Sequence, residues 1–101
     1  MSITAEHDRE HGCLTIRVQE RFDFSVHKQF RDAYLKLPAP ARSYVIDLAG
    51  TEEMDSSALG MLLLLREHAG GDRAEIRVVN CSPSVRNILR IAGFGELLTL
   101  H

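Results

Sequence analysis

The strongest constraint on the fold comes from the middle of the chain, where an apolar strand pattern leads through an acidic loop into an apolar helix pattern. The segment 43–48 is almost entirely apolar, the loop 49–55 carries three acids, and the run 61–65 contains five consecutive apolar residues. A strand that leads into a helix directs the helix's free N-terminal amides toward the connecting loop. This order therefore predicts an exposed, anion-attracting position at the two serines between loop and helix, Ser56 and Ser57.

The remaining elements predict one α/β domain. A length of 101 residues suits a single core. Hydrophobic periodicity and turn residues predict strands over Ile3–Asp8, Cys13–Val18, Ser43–Leu48, Arg73–Asn80 and Phe94–Leu100, and helices from Val26 to Leu37, from Ser56 to His68 or Ala69, and from Pro83 to Ala92. The order is β-β-α-β-α-β-α-β, and helical crossovers require parallel strands. We expect a mixed central sheet packed by about three helices.

The segment 43–48 also carries information about its place in the sheet. A nearly continuous apolar run is typical of a strand that is central or that is covered by helices on both faces. Both alternatives remain open from the sequence.

Charge and hydropathy exclude several classes of function. A net charge of −2 and a pI of about 6.2 provide no positive field for nucleic acid or an anionic membrane. The N-terminus lacks an apolar core of signal-peptide length, and the run 61–65 is too short to span a bilayer. We expect no direct nucleic-acid binding, no membrane insertion and a cytoplasmic location, with Cys13 and Cys81 as reduced core thiols.

The two serines have two possible roles. Asp55 is a natural helix N-cap, which would place Ser56 and Ser57 at the first two helical positions. A phosphate there would add about −1.5 to −2 charges, attracted by the helix dipole but repelled by Asp55, Glu52 and Glu53. The residues alone leave capping and a phosphorylation switch both open.

The apolar run from Met61 to Leu65 predicts more than core packing. At about 100° per residue, five consecutive apolar side chains point all around a helix. A single sheet cannot bury them all, so the outermost members, together with the serine loop, are candidates for an exposed patch that binds a partner.

Catalytic and metal sites find no support in the sequence. Gly-x-Ser-x-Gly is absent, and His68 would lie about 18 Å from Ser56 along one helix at ~1.5 Å per residue. The acids Glu52, Glu53 and Asp55 match no calcium-loop pattern, and the glycine pairs lack a phosphate-loop context. We therefore predict no enzymatic activity, no metal and no cofactor.

Two segments resemble a known family. Val45-Ile46-Asp47-Leu48, followed after a spacer by Met54-Asp55-Ser56-Ser57-Ala58-Leu59-Gly60, is similar to the signature of STAS domains, the family of bacterial anti-sigma factor antagonists. The resemblance covers nearly the whole chain, 1–101, in element order and length. It implies a STAS-type α/β domain that binds a partner protein.

The resemblance also implies roles for individual residues. In the family, the serine after the aspartate is phosphorylated by a partner serine kinase, often the anti-sigma factor itself, and a phosphatase reverses this; the matching residue is Ser56. Asp23 matches an acidic residue near the phosphoserine, although a helix cap is an equally good interpretation. Gly60 matches a helix glycine that would let another backbone approach closely. Together with the apolar run described above, this gives Ala58, Gly60, Met61 and Leu64 as the expected partner-binding residues.

Two functional hypotheses follow from the resemblance. The first is a phosphorylation-switched anti-sigma factor antagonist that binds its anti-sigma factor kinase only when unphosphorylated, and so regulates sigma-dependent transcription. The alternative is a non-phosphorylated STAS subunit of a transporter or signalling assembly. Many relatives carry a helix after the last strand, and the sequence up to His101 leaves no room for it, so we expect that helix to be lacking or truncated.

Overall fold

A five-stranded mixed sheet and a separate two-stranded sheet form the framework of the computed structural model, which describes residues 2–100. The strands are β1 (Ile3–Asp8), β2 (Cys13–Val18), β3 (Glu20–Phe22), β4 (Ser43–Asp47), β5 (Thr51–Met54), β6 (Ile76–Val79) and β7 (Thr99–Leu100). The helices are α1 (His27–Leu35), α2 (Ser56–His68), α3 (Pro83–Ile91) and the single turn α4 (Phe94–Leu97).

The topology confirms the predicted mixed sheet. The strand order is β1-β2-β4-β6-β7, with β1 antiparallel to β2 and every other neighbouring pair parallel. The strand β4 is therefore central, which is one of the two positions that its apolar sequence predicts. The short strands β3 and β5 pair in parallel as the second sheet.

All three crossover helices lie on one face of the main sheet. The parallel strands follow one another in a single direction across the sheet, and right-handed crossovers then place every helix on the same side. Burial agrees: Ile16 and Ile46, which are register partners, are fully buried. Their neighbours Arg17 and Val45 point to the opposite face and are exposed and half-buried. Coverage of both faces, the other expectation for this strand, is therefore wrong.

Helix ends follow local sequence rules. Ser82 caps α3 by accepting a hydrogen bond from the Val85 amide (3.2 Å), with Pro83 at the first helical position. Gly70 and Gly93 adopt left-handed backbone angles (φ of 115° and 82°) just after α2 and α3, as helix-terminating glycines do.

Three predicted elements differ from the structure. The predicted last strand is mostly the helical turn α4, because Phe94 and Leu98 are spaced by four residues and both side chains enter the core. Only β7 remains of it as an edge strand. The strand expected over Arg73–Asn80 shortens to β6, since Gly71–Arg73 forms a 3-10 turn. The loop expected before Ser56 contains β5, and β3 was not predicted.

Both cysteines are free thiols, as the sequence predicts, but they are half-buried rather than core residues. Burial raises the pKa of the Cys81 thiol, which keeps it protonated and poorly nucleophilic. Over residues 2–100, no helix has both the length and the apolarity needed to cross a membrane.

Candidate functional site

Two turns of the chain lie side by side because the strands that precede them are paired. Phe22 at the end of β3 is the register partner of Met54 at the end of β5. The amide of Asp55 also donates a hydrogen bond to the carbonyl oxygen of Phe22 (3.4 Å). The segments that follow, 23–25 and 55–57, therefore begin next to each other at one end of the domain.

The two turns share one hydrogen-bond pattern. Asp23 Oδ1 accepts from the amide of Ser25 (2.9 Å) and from its hydroxyl (2.5 Å). Asp55 Oδ1 accepts from the amide of Ser57 (2.9 Å) and from its hydroxyl (2.5 Å). Each aspartate thus caps the helical segment that follows it, with the second serine completing the cap. This confirms that Asp55 is an N-cap and that Ser56 and Ser57 occupy the first two positions of α2.

The pattern distinguishes the two serines of the second turn. The hydroxyl of Ser57 is engaged by Asp55, and its side chain is half-buried. Ser56 is exposed at the first position of a thirteen-residue helix. Its hydroxyl therefore lies in solvent at the positive end of the α2 dipole, where a group that approaches from outside can reach it.

Acidic side chains lie on the segment that leads into α2. Glu52, Glu53 and Asp55 are all exposed. Arg21 provides partial compensation, since its Nε lies 3.3 Å from Glu53 Oε2, but both side chains are largely exposed and such a pair contributes little. A depression of about 340 Å³ lies between these residues and α3, lined by Arg21, Asp23, Glu53, Asp55, Ser84 and Ile88.

The charge state of Asp23 is set within its own turn. Hydrogen bonds from the hydroxyl and then the amide of Ser25 hold the pKa of this carboxyl below its usual range, with a further contribution from the positive charge of Arg21. Asp23 therefore stays ionised and acts as a cap, and this function does not depend on a phosphoserine.

An apolar groove borders the other side of the α2 N-terminus. The groove has a volume of about 520 Å³, and we call it the α2 groove; it is lined by Phe24, His27, Ser57, Gly60, Met61, Leu63, Leu64 and Glu67. Its walls include three large exposed apolar side chains, Phe24 (70%), Leu63 (41%) and Leu64 (53%). Phe24 stacks on the ring of His27 with centroids 5.0 Å apart. Contiguous exposed apolar surface of this kind is typical of a binding surface.

The structure places three of the four predicted partner-binding residues along this groove and one in the core. Gly60 and Leu64 are exposed on the α2 groove. Ala58 is fully buried, so its expected position on a docking surface is wrong. Met61 lines the groove but is only 3% exposed, so it belongs mainly to the core. Together with Leu62 and Leu65, these two residues form the stripe of α2 that packs on the sheet; its i, i+3, i+4, i+7 spacing is a signal from which sequence analysis can assign it.

Sequence reasoning missed Phe24 and Leu63 as exposed members of the groove. The signal for Phe24 was available in the likeness of Asp23-Phe24-Ser25 to Asp55-Ser56-Ser57, which implies the same turn and an exposed middle residue. Within this domain no other segment approaches Gly60, since a Cβ atom there would meet nothing within 4 Å. The glycine is therefore not needed for close packing inside this domain.

Nothing in the geometry of the site indicates metal chemistry. In the part of the chain that the structure describes, no three His, Cys, Asp or Glu side chains come together in a way that would hold a metal ion. The site offers an exposed hydroxyl, an acidic rim and an apolar groove, which suit recognition of a protein surface.

Comparison with known proteins identifies the family. A family model described as "Mlab, STAS domain" matches residues 5–99. The chain belongs to the STAS domain family. A STAS-domain containing protein of Pseudomonas aeruginosa (strain UCBPP-PA14) is 52% identical over 100 residues, which is 99% of each chain.

Solved structures share the fold at low sequence identity. The anti-sigma factor antagonist SpoIIAA in its unphosphorylated form matches with a TM-score of 0.68 and 18% identity over 88% of this chain and 82% of that one. SpoIIAA of Bacillus in the phosphorylated form matches with a TM-score of 0.60 and 20% identity over 98% and 90%. A sulfate transporter family protein from Wolinella succinogenes matches with a TM-score of 0.72 and 13% identity over 86% and 75%. The STAS fold inferred from the sequence is thereby confirmed.

Proposed function

We propose that this STAS domain is an anti-sigma factor antagonist whose partner-binding surface, formed by the α2 groove and the Ser56 turn, is switched by phosphorylation of Ser56. The observation that carries the proposal is the juxtaposition of an exposed serine hydroxyl at a helix N-terminus with an exposed apolar groove on the same helix. The domain acts by binding other proteins in the cytoplasm, namely an anti-sigma factor that is also a serine kinase, and a phosphatase. It is not an enzyme.

In the unphosphorylated state, docking would bury apolar surface without desolvating a charge at Ser56. The side chains of Phe24, Leu63 and Leu64 are already exposed, and their removal from water drives association. The small, neutral Ser56 hydroxyl adds no charge that must be desolvated.

Phosphorylation would reverse this balance. A dianion at the edge of the groove has to lose its hydration when a partner covers it, and Asp55 and the two glutamates of β5 repel it. The α2 dipole offsets part of that repulsion, so the phosphate is tolerated in the free protein. Desolvation and repulsion at an interface cost several kcal/mol, which is enough to release a partner.

The likeness to SpoIIAA in phosphorylated and unphosphorylated forms supports the proposal at the level of the fold. What it adds is precedent for one STAS structure that exists in both states. The residue assignment to Ser56 comes from the motif and from the exposure of its hydroxyl.

The test is phosphorylation followed by binding. The chain is incubated with ATP and serine kinases of the anti-sigma factor type, and any phosphate is located by tandem mass spectrometry. We expect modification at Ser56 in the wild type and in Ser57→Ala, and none in Ser56→Ala. Partner binding should survive in Ser56→Ala and fall in Ser56→Asp. Phosphate found only on another residue, or equal affinity of Ser56→Asp and Ser56→Ala, would contradict the switch.

A second function is favoured by the match to a sulfate transporter family protein. On this alternative the α2 groove binds a transporter or signalling subunit permanently, and Ser56 serves only the start of the helix. A complex that co-purifies with the chain and that is equally stable with Ser56→Ala and Ser56→Asp supports this alternative over the first.

A further inference from the structure

The outer edge of β1 is the longest sheet edge left without a neighbouring strand in residues 2–100. β1 pairs with β2 through all six of its residues in one continuous register, and it ends the strand order of the main sheet. The opposite edge strand, β7, has only two residues. Proteins protect long edges with proline, with charged side chains such as lysine, or with a bulge. β1 (Ile3–Asp8) has no proline, lysine or bulge, and its only acidic side chains are Glu6 and Asp8. The edge is therefore able to accept another strand.

One hydrogen bond defines which backbone groups face outward from β1. The amide of Gln19 donates to the carbonyl oxygen of Ser2 (2.8 Å), so Ser2 directs its carbonyl toward β2. In an antiparallel pair this direction alternates along the strand. The even-numbered residues of β1 therefore bond to β2, and the odd-numbered ones present free N–H and C=O groups at the edge; these are Ile3, Ala5 and His7.

These free groups restrict how a second copy of β1 can pair. An antiparallel strand must match outward-facing residues with outward-facing residues. A two-fold axis at Ala5 pairs outward-facing with outward-facing residues over five positions. Ile3 then lies opposite His7 of the second copy, and Thr4 lies opposite Glu6 of the second copy. An axis at Glu6 would place two glutamates directly opposite each other, which is destabilising. An axis at Thr4 would pair only three residues of β1, from Ile3 to Ala5. Charge and length together favour the axis at Ala5.

Apolar side chains beside this edge are also left partly uncovered. A groove of about 410 Å³ runs between β1 and α1 over the apolar side chains of Ala5, Leu14 and Leu37. Ala5 is exposed although it lies on the helix-covered face of the sheet. A two-fold axis perpendicular to the sheet keeps α1 of both copies on one side, so each copy would cover the groove of the other. The groove lining contains Asp32 and Lys36, one charge of each sign, which a two-fold axis can pair reciprocally.

We infer that a second copy of this chain adds its β1 antiparallel to this edge, with Ala5 on the two-fold axis, to form a continuous ten-stranded sheet. The inference is independent of the proposed phosphorylation switch, since it uses no residue of the Ser56 turn or the α2 groove. An interface of one six-residue strand and a shallow groove is small, so the dimer forms reversibly.

Analytical ultracentrifugation of the full chain tests the pairing, over concentrations from about 1 μM to about 1 mM. We expect a reversible monomer–dimer equilibrium. Ala5→Pro removes the outward N–H at the axis but no bond to β2, so the dimer dissociation constant should rise about tenfold or more while the thermal unfolding temperature stays close to wild type. Ala5→Ser keeps that N–H and should leave the equilibrium unchanged.

The register is tested by a charge pair at one position. Thr4→Glu places a carboxylate opposite Glu6 of the second copy, and within its own chain that carboxylate faces Arg17, so the fold is retained. The dissociation constant should rise about 5- to 30-fold from the two symmetric repulsions. Thr4→Gln, which has the same length as glutamate but no charge, should leave it unchanged. A monomer at every concentration, a dimer insensitive to Ala5→Pro, or equal effects of the two Thr4 variants would each overturn the inference.

Discussion

The two turns at the end of the domain have the same capping geometry but different middle residues. In Asp23-Phe24-Ser25 and in Asp55-Ser56-Ser57, the aspartate accepts hydrogen bonds from the amide and hydroxyl of the second residue after it. The middle residue is exposed in both turns, but it is a large aromatic ring in one and a small hydroxyl in the other.

In both turns, the residues that form the cap differ from the residue that is exposed to solvent. The aspartates and the last serines are committed to the caps, so their presence needs no functional explanation. The middle residues make no contribution to the caps, and both face solvent at the border of the same surface. The paired turns therefore hold Phe24 and Ser56 exposed at one end of the domain. On the proposed function, Phe24 would make apolar contact with the partner and Ser56 would be the residue that is modified.

The largest expected effect concerns the pairing that holds the two turns together. Phe22 is fully buried and its ring centroid lies 5.2 Å from that of Phe30. Phe22→Ala should lower the free energy of unfolding by about 3–5 kcal/mol, measured by urea denaturation, whereas Phe22→Leu should cost less than about 1.5 kcal/mol. Hydrogen exchange in the alanine variant should accelerate at the Ser25 and Ser57 amides together. Acceleration at only one of these amides would mean that the two turns are independent, and that the β3–β5 pairing does not hold them together.

The next effect concerns Phe24 and rests on the proposed function. Its ring is 70% exposed, so Phe24→Ala should change the free energy of unfolding by less than about 0.5 kcal/mol. The affinity of the Phe24→Ala variant for the partner should fall about 30-fold, or ~2 kcal/mol, as for an aromatic anchor of an interface. Calorimetry or surface plasmon resonance measures this. Ile91→Ala, at a 77% exposed residue of α3 outside the groove, is the control and should bind normally. Equal losses in both variants would exclude the α2 groove as the binding surface.

The third effect tests the cap of the second turn. Asp55→Ala removes the acceptor for the Ser57 amide and should lower the free energy of unfolding by about 1 kcal/mol in urea denaturation. Asp55→Asn should be close to neutral because asparagine caps a helix equally well. A large loss in the asparagine variant would mean that the negative charge of Asp55, rather than its hydrogen bond, stabilises the turn.

The fourth effect is a gain in stability. Gly60 lies inside α2, where an added Cβ would meet nothing within 4 Å. Gly60→Ala should therefore raise the free energy of unfolding by about 0.5–1 kcal/mol, since glycine is a poor helix former. If a partner backbone approaches the groove at Gly60, the same variant should bind more weakly despite its greater stability. Gly95→Ala in α4, also with open space around the Cβ position, should leave binding unaffected.

Much of this scaffold could be predicted from the sequence, and the limits have physical causes. The caps at Asp55 and Ser82 follow rules that operate within four residues, so local sequence is enough. The strands β3 and β5 have three and four residues, and much of their surface is exposed. They form because they pair with each other, and this long-range contact leaves no periodicity in either segment.

The same distinction applies to the candidate site. The motif and the cap predicted Ser56 as an exposed residue at the start of α2, and the structure confirms that position, because both signals are local. The assignment of Ala58, and largely that of Met61, to a surface failed, because the five consecutive apolar residues 61–65 obscure the stripe that packs on the sheet. The C-terminal segment failed similarly: its apolar residues suit a strand, but the entry of both Phe94 and Leu98 into the core favours one helical turn.

The smallest expected effect is a difference in acid sensitivity between wild type and an Asp23 variant. The pKa of Asp23 is lowered in the folded state, first by the hydrogen bond from the Ser25 hydroxyl, so its ionised form favours folding. This contribution is fully present above the unfolded pKa of about 3.9 and is lost as the pH falls through the lower folded value. Asp23→Asn keeps a capping side chain and removes the charge, so its stability deficit at pH 7 should shrink as the pH falls below about 4. Urea denaturation from pH 7 down to about pH 2.5 measures this.

Asp8→Asn is the matched control, since Asp8 also has a lowered pKa, through hydrogen bonds from His11, but lies outside both turns. If Asp23→Asn follows the wild-type pH profile while Asp8→Asn does not, the first turn depends on hydrogen-bond geometry alone, and charge plays no part in its cap.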